Sequence, residues 1–281
     1  MFKRILAAID LSDINKVIVD WAFSLAQAFD ASLDMVYVQP ELETPILEIT
    51  DLLAKSMADL RRELAEEEME RIRELAEQRG LKNVQTVILQ GTEEDQICQY
   101  AQQHGDDLIL IGFCGEGGCR DLGTIAYRIL VRSQIPVLVL PALPRREIQK
   151  ILVPIDLSPL SERALGVAIQ WADRFGAELH VLHIIELHES LAKHETIERI
   201  KSQVIDLMNR WVTSRHAISF TPHVERRFSA VPGILDFIQE TQPDLVVMAS
   251  HGRSGVSKWF IGSVSERVLR ATDRPVLVVK A

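Results

Sequence analysis

One segment of the chain occurs twice. Lys3-Arg4-Ile5-Leu6-Ala7-Ala8-Ile9-Asp10-Leu11-Ser12 returns 146 residues later as Gln149-Lys150-Ile151-Leu152-Val153-Pro154-Ile155-Asp156-Leu157-Ser158. Continued without gaps to Val38 and Ile184, that register holds 11 identities in 36 positions, among them Ala22/Ala168, Ala26/Ala172, Phe29/Phe175, Ala31/Ala177 and Leu33/Leu179. A period this long means a duplicated domain, because a stacked solenoid repeats every ~20–50 residues. The 281 residues therefore divide into two copies of one fold, 1–144 and 145–281, each near the common domain size of ~150 residues. The boundary falls near Pro141-Ala142-Leu143-Pro144, a segment too short to act as a floppy linker.

Each copy alternates short apolar runs with helical patterns. Ile5–Ile9 suits a strand buried on both faces. Val17, Trp21, Leu25 and Ala28 make one stripe of a following helix, and Leu33–Val38 is the next strand. Residues 46–79 read as a long amphipathic helix with Leu53, Met57, Leu60, Leu64, Ile72 and Leu75 apolar, and with Glu66-Glu67-Glu68 on a solvated face. Strands at 84–89, 108–111 and 137–140 complete the first copy; the second places strands at 151–155, 179–184, 218–225, 245–249 and 276–279. Strands separated by helices imply a parallel sheet covered on both faces, an α/β fold of two similar doubly wound domains. Ligands of such sheets lie beyond the carboxyl ends of the strands, where the strand order reverses. The residues after the first and fourth strands of each copy are thus the places to look.

Charge narrows the partners. The net charge of −9 has the wrong sign for whole-chain attraction to nucleic acid or an anionic membrane. It is also uneven: residues 1–144 carry 13 Lys+Arg against 24 Asp+Glu, a balance of −11, and residues 145–281 carry 18 against 16, a balance of +2. Three cysteines cannot build a disulfide framework and suit a reducing, cytoplasmic setting. The N-terminal apolar run ends at Ile9 because Asp10 follows, too short for a signal peptide, and no stretch nears the ~18 apolar residues of a membrane helix.

After the first strand both copies read Asp-Leu-Ser. Ser12 and Ser158 are candidate helix caps, with Pro159 suited to the first turn. Asp10 and Asp156, emerging at a carboxyl strand end, can accept hydrogen bonds from a base or ribose. After the fourth strand of the second copy runs Ala249-Ser250-His251-Gly252-Arg253-Ser254-Gly255, and then, further on, Gly262-Ser263-Val264-Ser265 ahead of a helix expected over 266–271. Glycines that admit an anion, with hydroxyls and amides at a helix start, make a phosphate site. The loop lacks the Gly-Lys-Ser/Thr ending of a Walker loop and is not the dinucleotide fingerprint that follows a first strand.

At these residues the chain resembles the universal stress protein family, in the paired Ile-Leu-x-x-Ile-Asp-Leu-Ser starts and in the stretch from Asp244 to Lys280, and it does so as a tandem member over both halves. The resemblance implies a five-stranded parallel sheet of order 3-2-1-4-5 in each domain. It also implies an ATP-binding motif, Gly-x2-Gly-x9-Gly-Ser/Thr, after the fourth strand. The second half matches the spacing as Ala249-x2-Gly252-x9-Gly262-Ser263, with Ala in place of the first Gly; the first half keeps all three glycines as Gly112-x2-Gly115-x7-Gly123-Thr124, with a spacer two residues shorter. By resemblance, Asp156 contacts adenine or ribose, Pro154 and Ile184 line the adenine slot, and Gly252, Arg253, Gly262, Ser263 and Ser265 hold phosphates. Asp10, Val38, Gly112, Gly115, Gly123 and Thr124 make a second candidate site whose shorter loop places Thr124 differently. The implied ligand is ATP or another adenine nucleotide, with or without Mg. The last strands, 137–140 and 276–279, are expected to pair within one chain as a pseudo-dimer, with further homodimerisation and a protein partner open.

Dedicated chemistry is not expected. There is no nucleophile elbow, no His-Glu-x-x-His and no catalytic carboxylate pair, so the expectation is a stress-response regulator, with a nucleotide-independent interaction module as the alternative and slow ATP hydrolysis ranked below it. Cys114 and Cys119 read as ordinary thiols with no metal partner, and Cys98 as a core residue. His251 reads as a neutral loop residue; no partner is predictable for His180, His183 or His188. Trp21, Trp171, Trp211 and Trp259 read as packing residues.

Overall fold

The structure, a computed structural model, describes residues 2–40, 48–113, 122–142, 147–186, 194–213, 219–251 and 261–280. The chain divides into two compact units, Met1–Arg145 and Arg146–Ala281. Among the described residues each holds five strands and four helices in strict alternation. In the first these are β1 (Arg4–Ile9), α1 (Asn15–Phe29), β2 (Ser32–Gln39), α2 (Glu48–Gln78), β3 (Val84–Gln90), α3 (Glu93–His104), β4 (Leu108–Gly112), α4 (Thr124–Arg132) and β5 (Val137–Leu140). The second has β6 (Lys150–Pro154), α5 (Pro159–Phe175), β7 (Glu178–Glu186), α6 (His194–Thr213), β8 (Phe220–Arg227), α7 (Ala230–Thr241), β9 (Leu245–Ala249), α8 (Ser263–Ala271) and β10 (Val276–Val279).

Within the first unit the strands run parallel in the order β3-β2-β1-β4-β5, and within the second in the equivalent order β8-β7-β6-β9-β10. This is the 3-2-1-4-5 arrangement. Right-handed crossovers put α1 and α2 on one face and α3 and α4 on the other, and α3 packs against α4 and α7 against α8 accordingly. Because both faces are covered, β4, β5, β9 and β10 are buried almost from end to end. Strand order reverses between β1 and β4, and between β6 and β9.

One brace recurs in both units. Asp107 accepts from the amides of Lys3 and Arg4, and Asp244 accepts from those of Gln149 and Lys150, in every case at 2.8–3.2 Å. Each aspartate precedes the fourth strand and ties down the start of the first. The left-handed Leu11 and Leu157, both at φ 65°, also recur. A leucine in that region costs about 1 kcal/mol, so the turn leaving the first strand is held under mild strain in both copies.

Two helices bury a different face from the one the sequence pattern indicates. The buried face of α1 centres on Ile18, Ala22, Leu25 and Phe29, leaving Val17 and Ala28 half-buried. In α2 the buried stripe is Ala65, Met69, Ile72 and Ala76, whereas Met57, Leu60 and Leu64 are 54%, 49% and 48% exposed. Length explains Met57, whereas Leu60 and Leu64, which follow Ala58, lie off the stripe of Ala65, Met69, Ile72 and Ala76. A helix of 31 residues is about 46 Å long, while the eight residues of β2 span about 26 Å. The side-chain amide of Gln39 donates to the Ala58 carbonyl at 3.0 Å, marking where the helix passes the end of β2. Cys98, expected in the core, is half-buried on α3.

The first unit also buries charge. Asp34 and Asp106 are 2% and 4% exposed, and Arg4 reaches both, through Nη2 to Asp34 at 2.6 Å and Nε to Asp106 at 3.4 Å. One guanidinium between two carboxylates leaves a deficit. Burial, and then the negative charge of Asp34, push the Asp106 carboxyl up to about 7, and burial pushes the neighbouring Tyr100 phenol to about 12. Because the folded value lies above the unfolded value of ~3.9, the favourable contribution of Asp106 is complete below pH ~4 and is lost as pH rises through about 7. Asp106→Asn removes this loss. Guanidinium titrations should show the variant gaining stability over wild type between pH 5 and pH 8, by on the order of 2 kcal/mol.

Candidate functional site

The second unit has a cavity of ≈ 380 Å³ at its switch point. Its floor is the carboxyl ends of β6, β7 and β9, through Pro154, Leu182, Ile184, Met248 and Ala249; its walls are the first turns of α7 and α8. Of the residues singled out from sequence, Pro154, Asp156, Ile184, Ala249, Gly262, Ser263 and Ser265 all line it. Gly252 and Arg253 lie outside the described residues, as do Gly115, Cys114, Cys119, His188 and Trp259.

The Asp156 side chain is positioned by the strained turn after β6. Its Oδ1 accepts from the Ser158 amide at 3.0 Å, across Leu157. Ser158 caps α5 by accepting from the Ser161 amide at 3.2 Å, with Pro159 opening the helix. The same motif behaves differently in the first unit. There both the amide and the hydroxyl of Ser12 donate to Asp10 Oδ1, so Ser12 does not cap, and α1 begins only at Asn15. Asn15 Oδ1 accepts from the Asp10 amide at 3.2 Å.

On the opposite side of the cavity, α8 starts at Ser263, three residues earlier than the sequence pattern indicated. The first intrahelical bond runs from the Glu266 amide to the Gly262 carbonyl at 2.9 Å. The amides of Ser263, Val264 and Ser265 therefore precede it, as first-turn donors at the positive end of the helix dipole. Gly262 closes the loop by donating its amide to the Ser250 carbonyl at 2.6 Å. A Cβ there would lie 3.0 Å from His251 Cα and 3.3 Å from the Ser250 oxygen; close approach, at an ordinary φ of −64°, is what calls for glycine. Gly123 makes the same closure onto the Phe113 carbonyl at 2.9 Å and precedes Thr124, the first residue of α4. Asp10, Gly112 and Val38 stand at the carboxyl ends of β1, β4 and β2 in that unit.

Ser265 differs from the phosphate-holding role that the resemblance implies. It is buried, and its hydroxyl donates to the Ala249 carbonyl at 2.7 Å. With its proton committed there, the side chain seats α8 on β9; only its backbone amide remains a donor for an anion.

Three titratable lining residues, His183, Glu186 and His251, were not assigned to the site from sequence. His183 Nδ1 lies 2.8 Å from the Ile155 carbonyl, a contact in which Nδ1–H donates. His251 Nδ1 lies 3.0 Å from Ser250 Oγ. Glu186 Oε1 accepts from the Ala230 amide at 2.7 Å, so the protein's own carboxylate occupies the N-terminus of α7. The start of α8 is therefore the helix terminus offered to an anion within the cavity. Further down β7, His180 Nδ1 and His223 Nε2 are 2.9 Å apart; burial and then His180 lower the His223 pKa. Among the described residues no group of three His, Cys, Asp or Glu is placed to hold a metal ion, and no helix is long and apolar enough to cross a membrane.

The model of the universal stress protein family matches residues 1–141 and again 147–280. A universal stress protein of Methanocaldococcus jannaschii is 30% identical over 148 residues, covering 47% of this chain and 82% of that protein. One from Mycobacterium bovis is 29% identical over 195 residues, covering 62% of each, so the match spans less than two thirds of that mycobacterial relative. A universal stress protein structure from Archaeoglobus fulgidus superimposes with a TM-score of 0.73 at 21% identity, covering 99% of this chain and 98% of the other.

Proposed function

The chain belongs to the universal stress protein family, with both of its copies matched, and from that premise we propose that the second unit binds an adenine nucleotide, ATP first, as a regulator rather than a dedicated catalyst. The observation that carries this reading is a single cavity that joins an apolar slot, a carboxylate and a free helix N-terminus. Pro154, Ile184, Ile234 and Met248 offer the base a flat apolar site, and Asp156 accepts from the base or ribose. The amides that open α8, with the Ser263 hydroxyl, receive the phosphates. Mg would arrive on the phosphates, since Asp156 and Glu186 are the only carboxylates among the cavity's described lining residues and a magnesium ion keeps most of its shell from water and phosphate. We assign no catalytic residue to the cavity.

Millimolar ATP should raise the melting temperature of the full chain, because a ligand that binds only the native state stabilises it by mass action. Asp156→Ala should weaken binding about tenfold, equivalent to ~1.4 kcal/mol, and shrink the shift, whereas Asp10→Ala should leave it unchanged. An equal loss from both variants would contradict the assignment to the second unit. A second reading, a nucleotide-independent interaction module, is favoured by Ala249 standing where the motif has glycine and by the shorter spacer between Gly115 and Gly123 in the first half; a protein partner captured equally by wild type and Gly262→Asp would support it.

A further inference from the structure

The cavity's described lining residues include two carboxylates, Asp156 and Glu186, and two imidazoles, His183 and His251, but neither lysine nor arginine. A polyphosphate placed among these groups gains from any neighbour that can become a cation, and histidine is the side chain that ordinarily does so between pH 5 and pH 8. His251 is the imidazole beside the phosphate end. A Cβ on Gly262 would lie 3.5 Å from His251 Cβ, so the histidine packs against the residue that precedes Ser263 and the opening amides of α8.

The ring is held by a fixed neighbour. Its Nδ1 lies 3.0 Å from Ser250 Oγ, and Ser250 is 2% exposed, donates its amide to the Val279 carbonyl at 2.8 Å and accepts from the Gly262 amide at 2.6 Å. A hydroxyl can donate to a bare Nδ1 or accept from a protonated one, so the ring can gain a proton without losing this anchor. The groups around it are Asp156 from the turn after β6, Glu186 and His183 from β7, and Ser263, Val264 and Ser265 from α8, with Ala230 and Ile234 from α7. Lys280, which follows Val279 at the end of β10, is buried and does not line the cavity. The first copy lacks the pair. There Phe113 accepts from Gly123 as Ser250 does from Gly262, and the next residue is Cys114, so neither a hydroxyl nor an imidazole stands at these two positions.

We propose that His251 is a phosphate-binding side chain of this site, protonated as the nucleotide binds, with Nδ1–H donating to Ser250 Oγ and Nε2–H to a phosphate oxygen. This rests on the nucleotide-binding reading given above and adds a proton to it. The proton comes from solvent, so binding takes it up and affinity rises as pH falls from 8 to 6. The bond is charge-assisted, hence stronger than one between neutral groups, and it is made to the phosphates alone, so adenosine gains nothing from it.

The test is calorimetric titration of the full chain with ATP and with adenosine, in two buffers of different ionisation enthalpy, which counts the protons taken up, and at pH 6 and pH 8. Wild type should take up part of a proton per ATP, none per adenosine, and bind ATP about fivefold more tightly at pH 6 than at pH 8. His251→Gln should lose the uptake and about tenfold in ATP affinity at pH 6, with adenosine unchanged. His251→Lys, charged throughout this range, should keep ATP affinity without the uptake; it decides the matter if melting curves show that His251→Gln fails to fold. If ATP binds wild type without proton uptake, or the uptake persists in both variants, the proton is not carried by His251; the proposal is overturned and the nucleotide reading stands. An equal loss of ATP and adenosine in His251→Gln would mean that the ring only packs, and would also overturn it. If wild type binds neither compound, the nucleotide reading falls and this proposal falls with it.

Discussion

Gly262→Asp should abolish nucleotide binding, with a loss of about a hundredfold or more in affinity, while leaving the fold intact. Two effects act together. The new Cβ would meet His251 Cα at 3.0 Å and the Ser250 carbonyl at 3.3 Å, and the loop-closing bond from the Gly262 amide to Ser250, 2.6 Å long, leaves little slack for either backbone to retreat. The carboxylate would also occupy the N-cap of α8 and accept from the first-turn amides that the phosphates need. An aspartate is a favourable cap, so the helix itself should not suffer. Gly262→Ala adds the methyl without the charge and should lose less. Calorimetric titration with ATP, beside a melting curve for each variant, separates the two effects: equal losses for Ala and Asp would mean that the clash alone decides.

The largest effect on stability is expected at Trp171. Its side chain is fully buried, its ring lies 5.7 Å from that of Phe175, and it sits on α5, which packs on β6, β9 and β10. Trp171→Ala should cost about 3–5 kcal/mol, the transfer free energy of the ring plus the cavity it leaves. The first turn of α5 carries Ser158 and Ser161, which hold the turn bearing Asp156. The variant should therefore lose ATP-induced stabilisation as the second unit loosens. Chemical denaturation should show the transition of the second unit moving to lower denaturant while that of the first stays in place.

Much of this was legible in sequence because duplication does the work of a second observation. A single Ile-Asp-Leu-Ser is ambiguous; two copies in register, each after an apolar run, fix the first strand and place an aspartate at its carboxyl end. The strand order and the ends that carry the site follow from alternation and from the family resemblance. Contacts that depend on register across the sheet were not accessible. His180 and His223 become neighbours only because β7 pairs with β8 so that Leu182 stands opposite His223, and the Arg4–Asp34–Asp106 cluster needs β1, β2 and the start of β4 side by side. Helix ends were misjudged for a local reason. Ser263 and Ser265 look like residues before a helix, yet Ser265 gives its hydroxyl to the Ala249 carbonyl and so can enter the first turn. Apolar spacing in α2 correctly indicated a helix but could not reveal that its first turns run past the sheet.

The two copies also differ in the spacing of the loop after the fourth strand. Both close the loop after the fourth strand with a glycine amide on a carbonyl, yet nine residues lie between Phe113 and Gly123 and eleven between Ser250 and Gly262. The Ser12 hydroxyl and amide both donate to Asp10 Oδ1 in the first copy. On the proposed reading, one nucleotide per chain is expected rather than two. Equilibrium dialysis of labelled ATP against the full chain counts them directly. One nucleotide per chain, retained in Asp10→Ala and lost in Gly262→Asp, is the predicted result; no bound nucleotide, or binding that survives Gly262→Asp, would contradict the account.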